Sequence, residues 1–390
     1  MSKNAEIFDD WIRNEFVALN TALEELYFTQ DDRGAVQGAG DDIKDEILRH
    51  GCRLIIPLVE EGNTDEGADK AFDLLGNLGL YMASLRRHEL TNPAREEKSP
   101  HTEASALGMH IAASLGMAPR FASSHLATRG RAVNGVPKRF TSLRDERIFV
   151  DLNTLGILSV MRAADAVKRI LPLGVSHPVT KTLLENAAQA LRDVKKHNQA
   201  LMDDLDIDRF FFCVRPYYKP YRVGRHEYRG ANAGDFSGIN ELDLLLGVCR
   251  ANNPYYSQLL VDKMLFMPPE DQAALRDAMR KRSLLDEFLV AAQKYAAQPW
   301  FKENGLAFLN VCRLFGEIAA QHHNSLVKKF IEGPSNTFDE KQLAQITASG
   351  PPLPVLLRSL EVLRDLRLAA PRDDIPSRHA DMAKLASLVA

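Results

Sequence analysis

The chain predicts an all-α fold, and three observations support it. Apolar residues recur mostly at helical spacing, period-two alternation is almost absent, and the polar breaks between segments contain glycine and proline. At 390 residues, 45% hydrophobic and 26% charged, the chain has ordinary soluble composition. It also exceeds the ~250–300 residues at which single cores usually stop growing, so two domains are expected.

Helices are expected first over 5–29 and 41–61. Between them, Gly34-Ala35-Val36-Gln37-Gly38-Ala39-Gly40 lacks the Lys-Ser/Thr of a phosphate loop and follows no strand. Helices over 67–90 and 101–117 come next; the basic clusters Arg86-Arg87-His88 and Arg222, Arg225, His226 read as solvated helix or loop edges. The polar break Arg129-Gly130-Arg131-Ala132-Val133-Asn134-Gly135-Val136-Pro137-Lys138 reads as a domain boundary. It gives a small N-terminal domain over 1–128, a linker over 129–148 and a large domain over 149–390. Helices over 149–172 and 179–204 precede Phe210-Phe211-Phe212-Cys213-Val214, a short strand by propensity or a buried helix end by composition. Further helices are expected over 239–251, 270–298, 304–332 and 353–365. The break from Gly333-Pro334 to Pro354 reads as a loop near a site, and no internal repeat suggests a solenoid.

Composition excludes several functions. A net charge of −3 gives no pull toward nucleic acid or anionic membranes. No apolar run approaches the ~20 residues of a membrane span, and the start lacks a signal-peptide core, so a cytoplasmic protein is expected. Cys52, Cys213, Cys249 and Cys312 are scattered beside apolar residues, as reduced buried thiols would be. Without Cys-x-x-Cys or Cys-x-x-Cys-His, neither structural zinc nor covalent haem is expected; His-Glu-x-x-His and nucleophile-elbow motifs are absent as well.

His322 and His323 are adjacent in an otherwise apolar helix. A neutral imidazole there could ligate haem iron, while two packed or surface histidines are the plain alternative. Phe308, Cys312, Phe315, Ala319, Leu326 and Phe330 define one face at about 100° per residue, and the two histidines fall roughly 50° to either side of it. Periodicity does not choose between them.

Several motifs lie in the order of a known superfamily. His323 is followed by Val327, Lys329 and Ile331, and upstream stand Phe210-Phe211-Phe212-Cys213-Val214-Arg215, Gly230-Ala231-Asn232-Ala233-Gly234-Asp235-Phe236-Ser237 and Met267-Pro268-Pro269. Downstream come Thr347-Ala348-Ser349-Gly350 and Leu356-Leu357-Arg358. This collinear set, over roughly 110–365, resembles the haem-dependent indoleamine/tryptophan 2,3-dioxygenase superfamily. Arg215-Pro216-Tyr217-Tyr218-Lys219-Pro220 and the block from Arg229 to Leu246 are most similar to its monodechloroaminopyrrolnitrin synthase branch.

The resemblance implies an indoleamine 2,3-dioxygenase-like helical fold binding haem b non-covalently. The activity it implies is that of an oxygen-dependent enzyme on L-tryptophan or a related, possibly substituted, indole, or an indole rearrangement in secondary metabolism. A non-catalytic haem-binding or gas-sensing protein is the alternative from another class. The expected partners are the indole and O2, with no nucleic acid or membrane, in a monomer or homo-oligomer. His323 would be the axial ligand, with His322 in reserve. Arg215 would clamp a carboxylate, for which a planar guanidinium suits two oxygens. Phe210 and Phe211 would face the aromatic substrate, and Thr347 and Ser349 would bond its ammonium or a haem propionate. The small residues of the Gly230–Gly234 loop, Ala233 and Gly234 among them, would admit the haem edge, and Asn232 would donate to dioxygen or substrate.

Departures from the family pattern sharpen these expectations. Gly156 stands where relatives carry a distal histidine or serine, removing a base and leaving room for a substituted indole. Ser123 and His125 fall where the family lines the distal pocket, although a packed His125 is the plainer reading. Ala320 replaces an arginine near the propionates, so another base must serve there.

Overall fold

Helices dominate the computed structural model, which describes residues 2–62, 66–333 and 353–390. The expected all-α class holds, and the sole paired strands among the described residues form one short hairpin with an isolated Val133–Val136 bridge beside it. Among the described residues no helix is long and apolar enough to cross a membrane. The chain forms two units, each discontinuous in sequence: the described residues of 1–151, 204–235 and 329–353, and those of 152–203, 236–328 and 354–390.

The first unit opens with α1 (Lys3–Arg13) and α2 (Glu15–Phe28), not the single helix expected. Asn14 breaks them: its side-chain amide donates to the Asp10 carbonyl, competing with the helical ladder. Next come α3 (Asp41–Glu61), α4 (Ala68–Arg87) and α5 (Thr102–Leu115). Arg13 donates to the carbonyls of Arg131 and Val136, so the glycine-rich break at 129–138 is tied to α1. Helix α4 is buried along almost its whole length. At Gly79 a Cβ would lie 2.2 Å from the Phe121 backbone nitrogen, so only glycine lets the 118–125 segment lie against α4.

Helix α6 (Arg144–Leu173) starts five residues before its predicted position. The Glu146 carboxylate accepts from the Phe140 and Thr141 amides and the Thr141 hydroxyl, a capping arrangement that periodicity does not report. After α7 (Thr180–Asp204) and the single turn α8 (Ile207–Arg209), Phe210–Val214 forms a π-helix and Arg215–Tyr218 a 3₁₀ turn. Strands β1 (Tyr221–Val223) and β2 (His226–Tyr228) then pair across Gly224, whose φ of 57° suits a two-residue turn.

The second unit continues with α9 (Ser237–Leu246), α10 (Pro254–Met264), α11 (Pro269–Ala278), α12 (Leu284–Tyr295) and α13 (Pro299–Gln321). Capping explains what periodicity missed. Asn253 accepts from the Tyr256 amide to start the unforeseen α10, and Ser283 accepts from Asp286 to divide the expected 270–298 helix. A π-helix (His322–Glu332), α14 (Leu353–Arg367) and the unforeseen α15 (His379–Val389) complete the described chain.

Candidate functional site

The Phe210–Arg215 segment is neither strand nor α-helix. It winds as a π-helix, a rare form that recurs at functional sites. Phe210 packs on Phe149 with ring centroids 4.9 Å apart and meets the edge of Phe330 at 5.9 Å. Phe211 is fully buried, and the Arg215 guanidinium lies 5.2 Å from its ring centroid. Arg215 itself is buried, and loss of hydration lowers its pKa to about 10; the cation persists at neutral pH.

The segment is held by groups the sequence reading set aside. Arg86, Arg87 and His88 are buried, which corrects the expectation of a solvated helix edge. Arg87 bonds both Glu24 oxygens at 2.7 Å and donates to the Phe212 carbonyl at 3.0 Å. Asn20 Oδ1 accepts from the Ser84 hydroxyl, His88 Nε2 and the Tyr217 hydroxyl, while Tyr27 bonds the other His88 nitrogen. Burial, with the Arg87 charge, keeps the His88 pKa well below the usual range. Both ends of Phe212–Tyr217 are thus fastened to α2 and α4 by charge or by a satisfied polar network.

The small-residue loop has its own clamp. Arg229 bonds both oxygens of the buried Asp235 at 3.0 and 2.8 Å, and Asp235 also accepts from the Asn232 amide. The Asn232 side chain accepts from the Gly234 amide, closing a local turn. Ser123 donates to the Asn232 carbonyl at 2.8 Å, which joins two of the predicted pocket residues directly. Arg120, buried against Tyr221, donates to the carbonyls of Phe121, Tyr228 and Arg229. Ala233 and Gly234 are half-buried beside these anchors. His125 takes the packed role: Nδ1 accepts from the Ala122 amide, Nε2 donates to the Phe72 carbonyl, and its ring stacks on Phe72 at 3.9 Å. Burial lowers its pKa to about 3.

In the second unit, α13 passes into the π-helix at the histidine pair. Phe308, Cys312, Phe315, Ala319, Leu326 and Phe330 are all buried, as the face predicted. His323 joins them, whereas His322 keeps an exposed ring. Gln321 bonds Asn198 and the Lys195 carbonyl just before the pair, and Arg364 reaches Asn324 just after it. Loss of hydration, then the Arg367 charge and His323, lower the His322 pKa to about 4. At that pKa His322 is neutral at physiological pH.

Arg367 bonds both Asp243 oxygens at 2.8 Å, and Asp243 accepts from the Tyr256 hydroxyl at 2.7 Å. Gly316 makes this placement possible: a Cβ there would lie 2.9 Å from Leu368 Cδ2 and 3.0 Å from the Arg367 carbonyl oxygen. A guanidinium therefore does stand beside the histidine pair, delivered from α14 and not from position 320. Gly156 on α6 is buried, and a Cβ there would meet nothing within 4 Å, so it borders open space. Thr347 and Ser349 lie outside the described residues.

The model of the family described as monodechloroaminopyrrolnitrin synthase PrnB matches residues 2–389. The chain belongs to this family. The monodechloroaminopyrrolnitrin synthase family is a haem-enzyme branch of the indoleamine/tryptophan dioxygenase-like superfamily, in agreement with the motif order and the helical class. No curated protein matches the chain.

The donor chemistry of this family member fits haem. Among the described residues, no three His, Cys, Asp or Glu side chains converge as a metal cage. What the histidine helix offers is two adjacent imidazoles, His323 buried and His322 exposed, and a haem iron would need only one such side chain from the protein. Sequence reasoning missed Arg87, Arg120, Arg229, Asp235, Asp243 and Arg367. Asp243 carried a readable signal, an acid set between Leu242 and Leu244-Leu245-Leu246, since an acid among apolar residues is buried only when paired.

Proposed function

We propose that this chain is a haem-dependent oxygenase acting on L-tryptophan or a related, substituted indole, with haem b held non-covalently through His323 and O2 as co-substrate. The observation behind this reading is a histidine pair at the start of a π-helix, in a chain matched from residue 2 to 389 by a haem-enzyme family. Haem, when bound, supplies the chemistry that lets triplet dioxygen react with an indole. The chain's own residues bind and orient. Arg215 holds the substrate carboxylate, and Phe210 and Phe211 face the indole. Thr347 and Ser349 bond the ammonium or a propionate, and the Asp235-clamped loop presents Asn232 and small residues. Gly156 offers no base, so the proton balance at the indole falls to the substrate's own groups. The cytoplasm is the proposed compartment.

A second reading is an indole rearrangement in secondary metabolism, as the family's name describes, and the open space beside Gly156 favours a substituted ring. His322 is the alternative ligand, because its neutral ring is the more exposed of the two. Hemin titration tests both assignments. A Soret band that shifts with CO after reduction is expected in wild type and in His322→Ala, and not in His323→Ala. The reverse pattern moves the ligand to His322, and no band in wild type ends the haem reading. Mass spectrometry of the product made under labelled dioxygen separates insertion of both oxygens from rearrangement.

A further inference from the structure

The segment that carries Arg215 has a gap in its own backbone ladder. The residue four after Phe212 is Pro216, which has no N–H, so the Phe212 carbonyl cannot be bonded along an α-helix. Arg87, the last residue of α4, donates to that carbonyl at 3.0 Å, and the same guanidinium holds both Glu24 oxygens at 2.7 Å. The Arg87 and Glu24 side chains are 2% and 0% exposed. Two apolar side chains could fill such a place about as favourably, because the cost of burying two charges offsets most of their attraction. What the pair adds is a donor of fixed direction, aimed from α4 at the π-helix. Two residues past Arg215, the Tyr217 hydroxyl donates to Asn20 of α2 at 3.1 Å, so tethers flank Arg215 on both sides. Between them the Arg215 amide bonds the Phe210 carbonyl, five residues back, where α-winding would give it Phe211. A return to α-winding would therefore change the direction of the Arg215 side chain.

We propose that Arg87 is a positioning residue for carboxylate recognition: fixed by Glu24, it stands in for the amide missing at Pro216 and holds the winding that aims Arg215. This rests on the reading of Arg215 as the carboxylate clamp. A planar guanidinium takes both oxygens of a carboxylate only within a narrow range of directions, so a small turn of Arg215 loses one bond of the two. Selectivity for an indole that bears a carboxylate over one that does not is thus set from α4, by a residue that need not touch the substrate.

Calorimetric titration of the hemin-reconstituted protein with L-tryptophan and with indole reads the positioning, because indole has no carboxylate. Arg87→Met alone would strand Glu24 in the interior, so it is combined with Glu24→Gln, which removes both charges. This double variant should bind L-tryptophan roughly tenfold or more weakly and indole as wild type does. Arg87→Lys keeps the charge opposite Glu24 and loses the fork, so it should show the same selectivity of loss with less risk to the fold. Adding Pro216→Ala to the double variant returns an N–H to the position four residues after Phe212 and should recover most of the L-tryptophan affinity. Hydrogen exchange of the 210–218 amides, measured without ligand, should quicken in the double variant and slow again in the triple. Unchanged L-tryptophan affinity in both Arg87 variants, equal weakening of L-tryptophan and indole, or a loss that Pro216→Ala does not recover overturns the proposal. If Arg215→Ala loses L-tryptophan while the Arg87 variants keep it, the clamp stands and the Arg87 proposal alone falls. Normal L-tryptophan binding by Arg215→Ala removes the clamp reading, and the proposal with it.

Discussion

Replacing Arg367 with methionine should destabilise the second unit by about 3 kcal/mol, and the geometry sets that figure. Both Asp243 oxygens take guanidinium N–H donors at 2.8 Å, and the Asp243 side chain has no exposed surface. Methionine keeps much of the apolar stem, so little packing is lost, but it strands an acid in the interior. Breaking a buried pair from one side costs ~3–5 kcal/mol. The surviving Tyr256 bond at 2.7 Å, worth ~1 kcal/mol, places the expectation near the lower end. Arg367→Met with Asp243→Leu removes both charges and should therefore be more stable than Arg367→Met alone. Urea unfolding followed by circular dichroism reads both effects, fitted transition by transition because a chain of two units need not unfold in one step. A loss below about 1 kcal/mol for Arg367→Met, or a double variant worse than the single, would refute the argument. The same variant should raise the His322 pKa, since Arg367 is one of its depressing charges.

Three further outcomes are expected. Arg215→Ala should weaken L-tryptophan in spectral titration by roughly ten- to a hundredfold, the scale of losing a charge-assisted pair of bonds, with far less effect on indole; equal weakening would sink the clamp. His125 has a folded pKa of about 3 against an ordinary 6.5, so the unfolded chain binds the extra proton between those values. Its contribution is complete above pH 6.5 and falls away on acidification toward pH 3, by on the order of 4 kcal/mol; an acid-unfolding curve unchanged in slope by His125→Gln contradicts this. Gly316→Ala should cost ~1–3 kcal/mol by pushing Leu368 and the end of α14 away, while Gly156→Ala should be neutral or stabilising by up to ~1 kcal/mol. Thermal unfolding of the pair checks this, and similar effects at both glycines would contradict it.

The long helices were legible because an amphipathic face repeats over many residues: Asp41–Glu61 falls where periodicity put it. Breaks and starts were less so, because they rest on single hydrogen bonds that periodicity averages over, such as Asn14 to Asp10 and Ser283 to Asp286. Arg86-Arg87-His88 shows a different limit. A basic run looks solvated until Glu24, Glu89 and Asn20, distant in sequence, are seen to satisfy it. The same long-range pairing hid Arg367, two residues beyond the predicted end of its helix and meaningful only through Asp243.

Two of the segments on which the family resemblance rests, Phe210–Val214 and the histidine segment, leave α-helical winding for π-helix. At Phe210–Val214 the apolar run fitted neither period, and at His322 an α-count left two histidines tied on opposite sides of the apolar face. Both ambiguities share a feature: π-winding bonds i to i+5, so side-chain directions drift from those of an α-helical wheel drawn through it. The local structure then separates what the wheel could not, with His323 buried and His322 exposed. Winding that strains the regular ladder persists only where surrounding contacts hold it, and here Arg87 on the Phe212 carbonyl, and Gln321 and Asn324 on either side of the histidines, provide them. A helix that merely had to pack would need none of these anchors. Their placement around Phe210–Arg215 and around the histidine pair argues that both segments are shaped to present particular side chains.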